Sequence, residues 1–137
     1  MLGHYLLFDR TCAEALACYA EAFGIAVAEV MRYGDAPPDP SFPVAEEDKN
    51  LVMHSRLPID GVDLMCADST GRITPGDNQY VSVTTPDEAA IQKAWDVLKQ
   101  GAEVYMDLQP TFFAPLHGSL RDRFGINWMF SAYSSQQ

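Results

Sequence analysis

The chain has 137 residues, 47% of them hydrophobic, and 19 acids against 9 lysines and arginines give it a formal net charge of -10. That length suits one domain or two small repeats sharing a core, and so acidic a surface repels phosphate backbones and anionic lipid, which disfavours nucleic acid and membranes as partners. No apolar run reaches the roughly 20 residues of a membrane span, no basic and apolar secretory leader opens the chain, and Cys12, Cys18 and Cys66 form no C-x-x-C pair, so a reduced cytoplasmic protein is expected.

In chain order, HYLLF (His4 to Phe8) reads as a short strand and TCAEALACYAEAFG (Thr11 to Gly24) as a helix. Thr11 and Glu14 are spaced as a capping box, Gly24 is the stop, and Leu16, Tyr19, Ala20 and Phe23 share one helical face. IAVAEVMRY (Ile25 to Tyr33) predicts a strand. The segment Gly34 to Asn50 holds four prolines and five acids and predicts a solvated loop, with Phe42 and Val44 its only apolar anchors. LVMHSRL (Leu51 to Leu57) and VDLMCA (Val62 to Ala67), joined by PIDG, predict a hairpin.

The same order then returns. QYVSVTT (Gln79 to Thr85) is a strand, and TPDEAAIQKAWDVLKQG is a helix with a second box at Thr85 and Glu88, Pro86 in the first helical position and Gly101 as its end. Ile91, Ala94, Trp95 and Leu98 repeat the apolar face. AEVYMDL (Ala102 to Leu108) is a strand, PTFFAPLHG a loop containing His117, and SLRDRFGINWMFSA a hairpin whose Asp122 is placed to cap its turn. GVDLMCAD and GINWMFSA close the two halves, with Met65 and Met129 in matching places. The repeat defines an α+β chain of duplicated βαβββ modules, the first about residues 1–70 and the second about 76–134, within a single domain of 1–137.

This paired pattern resembles the vicinal oxygen chelate superfamily of glyoxalase I, bleomycin-resistance proteins and extradiol dioxygenases. YLLFDRTCAEALACYAEAFG, VMHSRL and DRFGINWM look like its PhnB-like branch, often labelled demethylubiquinone methyltransferase-like. The resemblance implies two curved half-barrel sheets, each enclosing a cavity, assembled as a homodimer. No strand is followed by a glycine-rich turn opening a helix, so methyl-donor binding is not expected.

In metal-dependent members the ligands lie early in each first strand and as a carboxylate in each last strand. Those positions fall here at His4, at Gln79 or Asn78, and at Met65 and Met129. Thioethers are poor ligands for Mg, Mn, Fe(II) or Zn, so neither a metal nor another cofactor is expected, and the two methionines are expected to line apolar cavities. His54 and Arg56 share one strand face. If that face is inward, His54 is the candidate general base and Arg56 a holder of carboxylate or phosphate; if outward, both are surface residues. Asp63, on the face of Met65, is the acid expected to pair with Arg56. Phe112 and Phe113 form either a lid or a subunit contact, and Trp128 joins them as a candidate ligand wall.

Cys12 lies in the first helical turn, where the dipole favours thiolate, yet no base adjoins it, so all three cysteines read as small buried thiols. The leading expectation is a module binding a small, partly apolar molecule without a tightly held divalent metal. The alternative is a metal-dependent or His-based lyase, isomerase or dioxygenase, and whether the protein is an enzyme stays open at this point.

Overall fold

The run His4–Phe8 forms β1, and its alternation sets the layering of the first sheet. Leu6 and Phe8 are buried on one side, while Tyr5 and Leu7 are about half exposed on the other, at 49% and 48%. The computed structural model describes residues 2–133. The chain divides into two compact units, Met1–Ala20 with Gly24–Thr74, and Glu21–Phe23 with Pro75–Gln137.

In the first βαβββ module β1 is followed by α1 (Cys12–Phe23), β2 (Glu29–Arg32), β3 (Val52–Ile59) and β4 (Val62–Asp68). The sheet order is β1-β4-β3-β2, with β1 parallel to β4 and the other pairs antiparallel. The β3–β4 hairpin turns at Asp60 and Gly61, both at positive φ (49° and 77°), a geometry the Asp-Gly pair adopts readily. Helix α1 buries Cys12, Ala15, Leu16 and Tyr19, and the Tyr19 ring lies 6.2 Å from that of Phe8. Large apolar side chains buried this completely contribute about 2 kcal/mol each to folding.

Strand β2 is shorter than the expected Ile25–Tyr33 strand. Before Glu29 the chain touches the sheet through the Ala28 N–H, which donates to the Arg56 carbonyl at 2.9 Å. Between Met31 and Arg32 the register shifts, Arg32 pairs with Val52, and the proline-rich stretch follows with short 3-10 turns at Tyr33–Asp35 and Glu46–Asp48. Proline fixes φ and donates no N–H, so four of them prevent a longer element there.

The second unit repeats the plan with β5 (Val81–Thr85), α2 (Glu88–Leu98), β6 (Glu103–Gln109), β7 (His117–Arg121) and β8 (Asn127–Ala132), in the order β5-β8-β7-β6. All four residues of the expected apolar face, Ile91, Ala94, Trp95 and Leu98, are buried. The cap differs from expectation. Asp87 is the N-cap, its side chain accepting the Ala90 N–H at 3.1 Å, while Thr85 Oγ1 accepts the Asp87 N–H at 3.2 Å. Thr85 is held in β5 opposite Ala132, two residues too early to cap, so Pro86 precedes the cap instead of opening the helix. His117 is also corrected: it belongs to β7, paired with Ser131 and Gln109, and not to a loop. Beside it Gly118 is obligatory, because a Cβ there would stand 3.0 Å from both Leu108 Cα and the Trp95 ring.

The two registers match. Met65 stands opposite Tyr5 and Arg56, and Met129 opposite Ser82 and Ser119, so the two methionines occupy equivalent places in their modules. Among the described residues no helix is long and apolar enough to cross a membrane.

Candidate functional site

The side of the first sheet turned away from α1 collects Tyr5 from β1, Met31 and Glu29 from β2, His54 and Arg56 from β3, and Asp63 and Met65 from β4. Alternation puts them there, and the register brings them together: Met31 faces His54, Glu29 faces Arg56, and Arg56 faces Met65. The Tyr5 ring lies 6.2 Å from the His54 ring, tilted by 33°. Burial, more than any neighbouring charge, raises the Tyr5 phenol above its ordinary value, so it stays a protonated donor.

Arg56 is bridged on both flanks. Its Nε donates to Glu29 Oε2 at 2.9 Å and its Nη1 to Asp63 Oδ2 at 3.0 Å, which raises the guanidinium pKa further. The expected partner Asp63 is thus in contact, and Glu29 joins it as an acid the sequence did not single out. The signal for Glu29 was available in the i, i+2 alternation of the short strand EVMR. With two acids on one cation the group carries a local charge of -1, so a ligand carboxylate or phosphate would have to displace one of them. The anion-holding role expected of Arg56 does not suit this geometry.

Four other candidates fall elsewhere. His4 pairs with Leu64 and lies by alternation on the side of Leu6 and Phe8, so Tyr5 is the residue beside Met65. Trp128 is fully buried, at 0% exposure, and stacks on Phe130 with ring centroids 6.1 Å apart. It belongs to the core and offers no wall to a ligand, because neighbours in a strand point to opposite sides and Met129 takes the open one. Phe112 and Phe113 lie outside the first unit; Phe112 is 100% exposed and its ring meets that of Phe113 edge-on at 5.2 Å.

The cation positions implied by the sequence resemblance can be tested on the donors present. Opposite Met65 stands Tyr5 and opposite Met129 stands Ser82, while Gln79 precedes β5. Neither the phenol and thioether of the first pair nor the hydroxyl and thioether of the second includes a carboxylate or imidazole, and neither pair fits a hard divalent ion. Among the described residues no three His, Cys, Asp or Glu side chains gather as metal ligands.

A cleft of about 850 Å³ opens elsewhere in the first unit, within the proline-rich loop, lined by Tyr33, Pro37, Pro40, Phe42, Val44 and Lys49 among others. Its polar groups are already matched: Lys49 pairs with Glu46 at 2.7 Å, and Asp39 accepts from Ser41 at 2.9 and 2.7 Å. The sheet face carries the convergent polar groups, and it is the stronger candidate.

The thiols are buried. Burial, with Asp68 adding to it, pushes the Cys12 thiol up to about 12, overriding the helix dipole, and burial also pushes Cys66 upward. All three cysteines are free and buried, so thiol reagents at pH 8 are expected to leave the native chain unlabelled and to modify three thiols per chain in denaturant. Rapid native labelling would contradict this burial. The same shift has a stability consequence. An unfolded Cys12 ionises near 9.0 and the folded one near 12, so the folded form loses stability as pH rises through that window.

Two mixed four-stranded sheets built from duplicated βαβββ modules, with an open face on the first, define a glyoxalase-like fold. The chain belongs to the Glyoxalase/Bleomycin resistance protein/Dioxygenase superfamily, which it matches over residues 1–130. It is similar to Protein YjdN of Escherichia coli (strain K12), at 24% identity over 142 residues, covering 98% of this chain and 97% of that protein. The crystal structure of protein PA1353 from Pseudomonas aeruginosa superposes with a TM-score of 0.86 at 28% identity, covering 98% of each chain. The PhnB protein from Bacillus cereus has the same fold, with a TM-score of 0.73 at 24% identity, covering 96% of this chain and 98% of that one.

Proposed function

We propose that the open face of the first sheet binds a small, partly apolar molecule without a divalent metal, and that the ligand carries a neutral or cationic polar group. The observation that supports this reading is Arg56 held between Glu29 and Asp63 beside Tyr5, His54 and Met65. The aromatic ring and thioether supply apolar contact, and the surplus acid supplies an acceptor for a donor-bearing ligand. His54 has an aromatic neighbour in Tyr5, so a wall role suits it better than that of a general base. The protein works as a homodimer in this reading, the superfamily's common assembly.

Phenethylamine is a suitable probe, followed by amide-detected NMR titration. Shifts are expected at Tyr5, His54 and Met65, with binding about tenfold weaker in Tyr5→Ala and in Asp63→Asn. Equal binding of phenethylamine by the wild type and both variants would overturn the assignment of the site.

A further inference from the structure

The second sheet carries a different set of groups at the matching place. Ser119 opposes Met129 as Arg56 opposes Met65, so His117, two residues before Ser119, is the counterpart of His54. Alternation along β7 puts His117, Ser119 and Arg121 on one face of that strand, the face opposite Gly118 and Leu120, with Ser119 itself only 8% exposed between the half-buried His117 and Arg121.

Two features separate this face from the first. Arg121 donates to Asn127 Oδ1 at 3.4 Å and to the Gly76 carbonyl at 3.2 Å, both neutral oxygens. Glu103 stands opposite it in the β6–β7 register, yet among the described residues no acid forms an ion pair with it. Asn127 is itself held by the Gly76 and Gln79 carbonyls at 2.8 and 2.9 Å and by the Tyr105 hydroxyl at 3.0 Å, so the amide that steadies Arg121 is fixed from several sides. At the other end of the strand, His117 Nδ1 is buried with no hydrogen-bond partner among the described residues, and the Phe113 ring stands edge-on to the imidazole at 4.8 Å. A half-buried cation outside any ion pair and a buried ring nitrogen without a partner among the described residues are both costly unless a ligand completes them.

We propose that the outward face of β7 is a second small-molecule site, selective for a carboxylate joined to a flat apolar body. Arg121 and Ser119 receive the carboxylate, by charge and by hydroxyl donation. The body runs toward His117, whose ring nitrogen bonds a polar edge of it, and Phe113 folds over it as a cover with Phe112 beside it. Arg121 and His117 are four residues apart on the strand, about 13 Å, which sets the ligand's length. The site does not depend on the first-sheet reading, since it lies in the other unit and its cation is in no ion pair among the described residues, whereas Arg56 is held by two acids.

The test uses 4-phenylbutyrate, with neutral 4-phenylbutyramide as control, in calorimetric and NMR titrations of the whole chain. The acid is expected to bind with a dissociation constant of about 1 mM or tighter, shifting the amides of residues 117–121 and the His117 ring, and the amide to bind at least about tenfold more weakly. Phe113→Ala, an exposed change that leaves the core intact, and Arg121→Gln are each expected to weaken the acid about tenfold. Should Arg121→Gln unfold, Phe113→Ala and the acid-to-amide ratio still decide. No binding of the acid, equal binding of acid and amide, full binding by Phe113→Ala, or shifts confined to the first sheet would each overturn the proposal.

Discussion

Replacing Asp68 by Ala is expected to lower the unfolding free energy by about 4 kcal/mol, a large share of what a domain of this size has to lose. Asp68 ends β4 at 2% exposure, and its two side-chain oxygens serve different elements. Oδ1 accepts the Cys12 N–H at 2.8 Å, at the start of α1, and Oδ2 accepts the Val52 N–H at 3.0 Å, at the start of β3. Both donors belong to fully buried residues, so truncation strands two N–H groups away from water, at roughly 1–3 kcal/mol each, and removes an acid from a helix N-terminus. The Tyr33 hydroxyl, which donates to the Asp68 backbone carbonyl at 2.9 Å, survives the change. Asp68→Asn keeps one acceptor and is expected to fall between. Urea unfolding measures both; a loss under about 1 kcal/mol for Asp68→Ala would show that the two N–H groups find other partners.

Trp128→Ala is the second severe change, with an expected loss of about 4 kcal/mol from the cavity it opens. The indole stacks on Phe130, whose ring also meets Trp95 of α2 at 6.2 Å, and its Nε1–H donates to Asp122 Oδ2 at 2.9 Å. Asp122 Oδ1 meanwhile accepts the Phe124 and Ile126 N–H groups at 2.9 and 3.0 Å, so one acid joins the β7–β8 turn to the core. Trp128→Phe keeps most of the apolar contact and gives up the Asp122 bond, for an expected loss of about 1–2 kcal/mol. Ligand binding separates a core role from a wall role. Trp128→Phe should bind phenethylamine and 4-phenylbutyrate as the wild type does, and a selective loss of either would place the indole in a site.

The fold was legible because the chain writes it twice. The periodicity of Ile91, Ala94, Trp95 and Leu98, the Asp-Gly turn and the matching methionines are local signals, and each is read from a few neighbouring residues. The helix starts were less legible. Thr85 fitted a capping box by spacing, but the strand that holds it in an extended conformation ends two residues before the cap at Asp87. Asp68 gave no signal at all, since its partners Cys12 and Val52 are 56 and 16 residues away. Of the site, the shared face of His54 and Arg56 followed from alternation, and so did the pairing with Asp63. Alternation also separates Trp128 from Met129, because adjacent strand residues cannot line one face. The role of Arg56 depended on counting acids around it, and Glu29 entered only once β2 and β3 were paired. Arg121 was invisible for the opposite reason: what marks it is the lack of an acid partner among the described residues, which only side-chain positions reveal.

The two open faces thus differ in how their cations are held, the first with Arg56 between two acids and the second with Arg121 in no ion pair among the described residues. The claim on which both rest is that this chain binds small molecules through its own side chains, without a divalent ion as intermediary. Native mass spectrometry of the untagged protein, purified without chelator, tests it most directly by reading subunit number, bound metal and retained ligand together. The expected spectrum is a dimer free of stoichiometric metal, with any retained mass organic. One Zn, Mn, Ni or Fe per chain, surviving exchange into volatile buffer, would contradict it.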